Sequence, residues 1–189
     1  MFDHSPNILR DSKHFFLNLK AVLTLSETPV DIAKKVIVAG HFGVGKTSLI
    51  RRFVHQKFSD QYLTTIGVKI DKKVVEIEGA KINMILWDIA GEQSAGKIPK
   101  TYFAGAHGLI YVFDLTRDET YNALKDNIFE ITKDNQDIQT IVLGNKSDLV
   151  DAEMIDELKS SLDTPFEVTS AQSGDNVETA FKTLAKNLL

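Results

Sequence analysis

The sequence predicts a three-layer α/β fold, a mostly parallel six-stranded sheet with one antiparallel edge hairpin strand and helices on both faces. Three observations carry this. Strand-like and helix-like stretches alternate from residue 35 to the end. The apolar runs YVF (111–113) and IVL (141–143) lack polar alternation, as expected of strands covered on both sides. Two strand-like segments are separated only by Glu78-Gly79, a spacing that suits an antiparallel hairpin.

In order, the elements begin with the strand KVIVAG (35–40), a glycine-rich loop and the helix KTSLIRRFV (46–54). The strands GVKIDKKVVEI (67–77) and AKINMILWD (80–88) form the hairpin, and a helix near 94–104 follows. The strand GLIYVFDL (108–115) leads to a helix near 118–133, and TIVLGN (140–145) to a helix near 151–162. Asp151, Glu153, Asp156 and Glu157 belong to the first turns of that helix, where its dipole favours acids. The strand PFEVTS (165–170) and a helix near 175–188, with Val177, Phe181, Leu184 and Leu188 as its apolar stripe, complete the alternation. Sheets of this kind bind ligands at the carboxyl ends of their strands.

Residues 1–33 read as an appendage to the domain at 34–189. Phe15, Phe16, Leu19, Val22 and Leu23 recur at helical spacing there, which predicts one amphipathic helix, and SETPV (26–30) is a connector. The stretch HFFLNLKAVLTL (14–25) is interrupted by Asn18 and Lys20 and lacks a small-residue cleavage site, so it does not read as a signal peptide. No apolar run is long enough to span a bilayer.

The 189 residues, 43% hydrophobic and 25% charged, suit one soluble domain that fills its own core. A net charge of -4 argues against a broad nucleic-acid surface. With no cysteine, disulfides, thiolate metal sites, thiol catalysis, prenylation and palmitoylation are all excluded. Phe2 stands where myristoylation needs glycine, so no lipid anchor is expected in this chain. The expected setting is cytoplasmic and soluble, with membranes reached only through partners or the N-terminal helix.

Gly40-His41-Phe42-Gly43-Val44-Gly45-Lys46-Thr47 matches G-x-x-x-x-G-K-[ST], after a strand and at the opening of a helix. Glycines let backbone N–H groups cradle phosphate oxygens, Lys46 adds a point charge, and Thr47 offers a hydroxyl to Mg²⁺. Asn145-Lys146-Ser147-Asp148 ends a buried strand. An aspartate there can accept from a ring N–H and an exocyclic amine together, a pair that guanine offers and adenine does not. Asp88-Ile89-Ala90-Gly91 could hold Mg²⁺ through water and let a backbone N–H approach a γ-phosphate. Thr169-Ser170-Ala171 follows the last strand, with a backbone amide for the base. Apart from the first, each motif alone would be read as a turn or a strand end; their order gives them weight.

In that order, GHFGVGKT, YLTTIG (62–67), WDIAG, NKSD and TSA resemble the Ras superfamily of small GTPases, over about residues 34–189. TTIGVKI and YFAGAHGLIYVFDLT (102–116) resemble its Rab branch. The resemblance implies the small G-protein version of the P-loop NTPase fold and a switch binding GTP or GDP with Mg²⁺. It implies that Lys46 and the loop at Gly43, Val44 and Gly45 bind the phosphates. Thr47 and Thr65 are the implied direct Mg²⁺ ligands, with Asp88 acting through water. Gly91 would meet the γ-phosphate, Asn145, Lys146, Asp148 and Ala171 would surround guanine, and Phe58 would lie against it. Ser48, Ser170 and Gln172 join the implied nucleotide-binding set. Effector and regulatory proteins would read switch segments near 58–67 and 89–104, ordered by the γ-phosphate and released when it leaves.

The chain departs from the family in three places. The family usually has Gln then Glu after the glycine of D-x-x-G; here Glu92 precedes Gln93. The familiar glutamine orients the attacking water as acceptor and donor. Glu92 keeps the acceptor, loses the donor and brings negative charge, yet is the better base, so the sign of its effect on rate stays open. The candidate catalytic set is Glu92, Gln93, Lys46 and Thr65. Phe42 stands where the commonest member has glycine, and its ring would crowd the water and any arginine supplied in trans. The expectation is slow intrinsic turnover and a poor response to ordinary activating proteins. The third departure is the C-terminus, where a helix replaces the cysteine-bearing tail usual in Rab-type proteins.

Two other readings stay open. One is a mainly GTP-bound adaptor with impaired hydrolysis, and the other a P-loop kinase or ATPase, against which NKSD argues. His41 is expected to point to solvent, and His4, His14, His55 and His107 show no metal-ligand spacing.

Overall fold

Strand β1 (Asp31–Ala39) begins earlier than the run KVIVAG suggests and occupies the middle of the sheet. The computed structural model describes residues 31–59, 64–91 and 99–189. The N-terminal helix expected at 14–25, and Glu92 and Gln93, lie outside the described residues. The elements that follow are α1 (Lys46–His55), β2 (Val68–Ile77), β3 (Ala80–Ile89), β4 (Gly108–Asp114) and α2 (Leu124–Thr132). Then come β5 (Gln139–Asn145), α3 (Ala152–Ser161), β6 (Glu167–Val168) and α4 (Val177–Asn187).

The strand order is β2-β3-β1-β4-β5-β6, with β2 antiparallel to β3 and every other pair parallel. Glu78 and Gly79 close the hairpin with φ of 51° and 85°. Positive φ at both central residues matches a type I′ turn, whose twist suits the flanking strands.

Successive side chains of a strand point to opposite faces, and the core divides accordingly. Val36 and Val38 of β1 and Ile110 and Val112 of β4 pack with Phe53 of α1 and Phe181 of α4. Ile37, Ala39, Leu109, Tyr111 and Phe113 face the other way, against Leu124 of α2 and Leu158 of α3. The Phe53 and Phe181 rings stack at 4.2 Å, which adds about 0.5–1.5 kcal/mol to their burial. Val177, Phe181, Leu184 and Leu188 are all buried, as the apolar stripe of α4 predicts. Asp151 caps α3 by accepting from Met154 N at 2.9 Å, a contact worth about 1 kcal/mol.

Three elements differ from expectation. Of the helix predicted near 94–104, the described part holds only a 3₁₀ turn, Lys100–Tyr102. Pro99 precedes it, and residues 94–98 of the expected helix lie outside the described residues. The helix near 118–133 is split into a 3₁₀ turn at Asp118–Thr120 and α2. The Thr120 hydroxyl ties that turn to the end of β4, donating to Asp114 O at 3.1 Å and accepting from Asp114 N at 3.0 Å. Strand β6 is only two residues long, an edge strand that begins two residues after Pro165, whose missing N–H leaves it nothing to give the ladder.

Candidate nucleotide-binding site

The loops after β1, β3, β4, β5 and β6 all leave the same edge of the sheet, and a cleft of ≈ 260 Å³ opens there. Gly43, Gly45, Lys46, Thr47, Ser48, Phe58, Thr65, Gly91, Asn145, Lys146, Asp148, Ala171 and Gln172 line it. Val44, Asp88 and Ser170 are buried just behind that lining. Every candidate binding residue named from the sequence within the described chain therefore belongs to one place.

At one end, the loop of residues 40–45 runs into α1. Gly45 has a φ of 99°, and a Cβ there would stand 2.3 Å from Asn145 Nδ2. Glycine is thus required twice, by backbone and by neighbour. A Cβ on Gly91 would meet Phe42 Cα at 2.5 Å and His41 O at 2.7 Å, so the D-x-x-G turn lies directly against the loop. No acid occupies the first turn of α1. Its N–H groups and positive dipole end therefore face the cleft uncompensated.

Lys46 is 6% exposed and donates to the carbonyls of Gly40 and His41, each at 2.8 Å. Burial pushes its ammonium down to about 8, against the opposing pull of Asp88 and with the help of Arg117. A cation held by neutral carbonyls in a dry place favours an anion beside it. His41 is half-buried rather than turned to solvent, and burial, then Arg117 and Lys46, lower its pKa.

Behind the lysine, three oxygens converge. Thr47 Oγ1 donates to Asp88 Oδ2 at 2.6 Å and lies 2.7 Å from Thr65 Oγ1, which is 3.4 Å from the same carboxylate oxygen. Asp88 is 1% exposed, and among the described residues its Oδ1 has no hydrogen-bond partner. Burial raises its pKa despite the Thr47 bond and the Lys46 charge. Hard oxygens and a buried, under-satisfied carboxylate fit Mg²⁺, and 2.7 Å is close to the spacing of neighbouring ligands on an octahedral ion. Among the described residues no group of three or more His, Asp or Glu gathers as a metal site, so the hydroxyls of Thr47 and Thr65 are what this place adds to its single carboxylate.

The other end is tied to itself. Asn145 Nδ2 donates to Val44 O at 2.8 Å, and its Oδ1 accepts from Ala171 N at 3.1 Å. One side chain thus joins the phosphate loop, β5 and the loop after β6. The Ala171 N–H expected near the base donates to Asn145 in this structure. Ser170 Oγ donates to Asp148 Oδ1 at 2.5 Å and accepts from Ser173 N at 3.0 Å, which sets the aspartate's orientation. Lys146 takes a left-handed backbone, φ 70°, and its Nζ lies 2.6 Å from Asp114 Oδ2. Phe58 packs on the core beside α1.

Sequence reasoning missed three residues. Asp114 is fully buried at the end of β4, holds Lys146 and also receives Arg117 Nε at 3.0 Å. Burial pushes its pKa up, but the bonds from Lys146 and Thr116 outweigh this and leave it below the ordinary value. Arg117 reaches on to Phe42 O at 2.8 Å. Arg52 of α1 donates from Nε to Ala171 O at 2.9 Å and also to Gln172 O. The available signal was an aspartate closing an otherwise apolar strand.

The sheet order and the cleft at its carboxyl edge define a P-loop α/β protein of the small G-protein type. A model of the Ras family matches residues 35–189, and the chain belongs to that family. It is 35% identical over 164 residues to the GTP-binding protein ypt1 of Schizosaccharomyces pombe, covering 84% of this chain and 81% of the relative. Family match and relative together make it a Rab-like small GTPase.

Proposed function

We propose that the protein is a guanine-nucleotide switch that binds GTP and GDP with Mg²⁺ and hydrolyses GTP slowly. One observation carries the reading: a single cleft presents a buried lysine at a helix N-terminus at one end and an oriented Asp148 at the other. Lys46 and the amides of residues 43–45 bind the phosphates. Thr47 and Thr65 hold the metal directly and Asp88 through water, and Mg²⁺ when bound neutralises charge on the phosphate oxygens. Asp148 accepts from the guanine ring N–H and amine, while Lys146 and Phe58 flank the base.

Gly91 lets the backbone approach the γ-phosphate. Glu92, or Gln93 after a backbone shift, orients water there. Phe42 lines the cleft and is 45% exposed, which supports crowding of the water and of an incoming arginine. The same placement supports a second reading, a GTP-bound adaptor with little turnover. Partners read segments near 58–67 and 89–104, and Ile66, 91% exposed, is an apolar handle in the first. No helix among the described residues is long and apolar enough to cross a membrane. We place the protein in the cytoplasm, reaching membranes through partners or the N-terminal segment.

The test is to denature the purified protein, identify the released nucleotide by chromatography, and follow single-turnover GTP hydrolysis. The expected outcome is bound guanine nucleotide and turnover slower than in Rab proteins with Gln at the Glu92 position. Retained GTP would put the adaptor ahead. A typical Rab rate would remove the slow-turnover reading, and an adenine nucleotide would remove the role given to Asp148.

A further inference from the structure

We propose that Arg117 is a positioning residue for the phosphate loop, clamping the Phe42 carbonyl from a buried anchor at Asp114 and so slowing nucleotide release. The proposal rests on the nucleotide reading of the cleft and deepens it. Arg117 lies after β4, yet its guanidinium bridges Asp114 Oδ2 at 3.0 Å and Phe42 O at 2.8 Å. A planar fork can serve two acceptors at once, and a buried carboxylate anchors it more firmly than water would. Asp114 Oδ2 also receives Lys146 at 2.6 Å, so one carboxylate steadies the phosphate loop and the base loop together. Phe42 immediately precedes the run 43–45 that must present its amides to a phosphate, and its Cα lies against Gly91. Releasing its carbonyl would let that turn relax away from the ligand. Glu119 pairs with Arg117 at the longer distance of 3.7 Å and is largely exposed.

The experiment uses the full chain with Mg²⁺. Release of a fluorescent GDP analogue is timed after adding excess GDP, and the β-phosphorus resonance of bound GDP is recorded by NMR. Losing one charge-assisted hydrogen bond should make Arg117→Gln release about tenfold faster, with the β-phosphorus signal moved. Arg117→Lys, which cannot span both acceptors, should fall between Arg117→Gln and the natural chain, and Glu119→Gln should match the natural chain. Wild-type release from Arg117→Gln would overturn the proposal, as would a lowered melting temperature with the phosphorus signal unmoved. If Arg117→Gln does not fold, Arg117→Lys decides, and wild-type release from it overturns the proposal. If the natural chain takes up no GDP, the nucleotide reading itself fails at the first titration and the proposal falls with it.

Discussion

The two ends of the cleft are built on opposite principles. At the base end the polar groups satisfy one another: Asn145 bridges Val44 and Ala171, Ser170 orients Asp148, and Lys146 is paired with Asp114. At the phosphate end they do not. Among the described residues Lys46 hydrogen-bonds to two neutral carbonyls, with the Asp88 charge nearby, and one oxygen of Asp88 is buried without a hydrogen-bond partner. The base end is a finished frame that waits for a ligand to fit it. The phosphate end is electrostatically incomplete, so ligand and cation there contribute to its order.

This contrast predicts where substitutions act. The largest effect should come from Lys46→Met, which removes a buried cation with two or more charge-assisted bonds to phosphate. GDP affinity should fall roughly 10²–10⁴-fold, as measured by titration with a fluorescent analogue. A loss below tenfold would mean that the base end supplies most of the binding. Next, Asp148→Asn should leave the phosphate end intact but weaken guanine binding about 10–100-fold and reduce preference for guanine over adenine nucleotides in competition binding. Unchanged preference would break the division of labour between the two ends.

The smallest effect is on pH dependence. Burial lowers Lys46 in the nucleotide-free protein to about 8. The unfolded chain then binds more protons between about 8 and the ordinary lysine value, so stability of the nucleotide-free protein rises with pH across that window. A bound phosphate reverses the preference by holding the ammonium charged. GDP affinity should therefore fall about tenfold as pH climbs from 8 to 9 and beyond. Calorimetry in buffers of different ionisation enthalpy should count a proton taken up on binding, and Lys46→Arg should abolish that uptake. A flat profile would mean that Lys46 is already fully charged before ligand arrives.

Much of the fold is legible because buried parallel strands write themselves as short apolar runs, and β4 and β5 are unambiguous for that reason. The hairpin is legible from Glu78-Gly79, since a gap of only two residues between strand-like runs suits an antiparallel turn, and both residues do take positive φ. The same local logic fails where a distant group decides. Thr120, bound to Asp114, holds a 3₁₀ turn where periodicity alone continues a helix. In the site, the phosphate loop and NKSD are contiguous strings with local chemistry, and both are readable. Arg52, Asp114 and Arg117 are not: Asp114 and Arg117 stand only three residues apart, but the partners that tie these residues to the site, Ala171 O, Lys146 and Phe42 O, lie on other strands' loops.

The Asn145 bridge has a consequence for redesign. Its two arms end on the backbone of two other loops, at Val44 and at Ala171. A change of base specificity made by transplanting the loop after β5 would carry the joint with it and leave both recipients without their counterpart. The recognition module and the phosphate module are therefore not interchangeable parts. An exchange that works must move three segments together, or keep this asparagine and vary only what surrounds it.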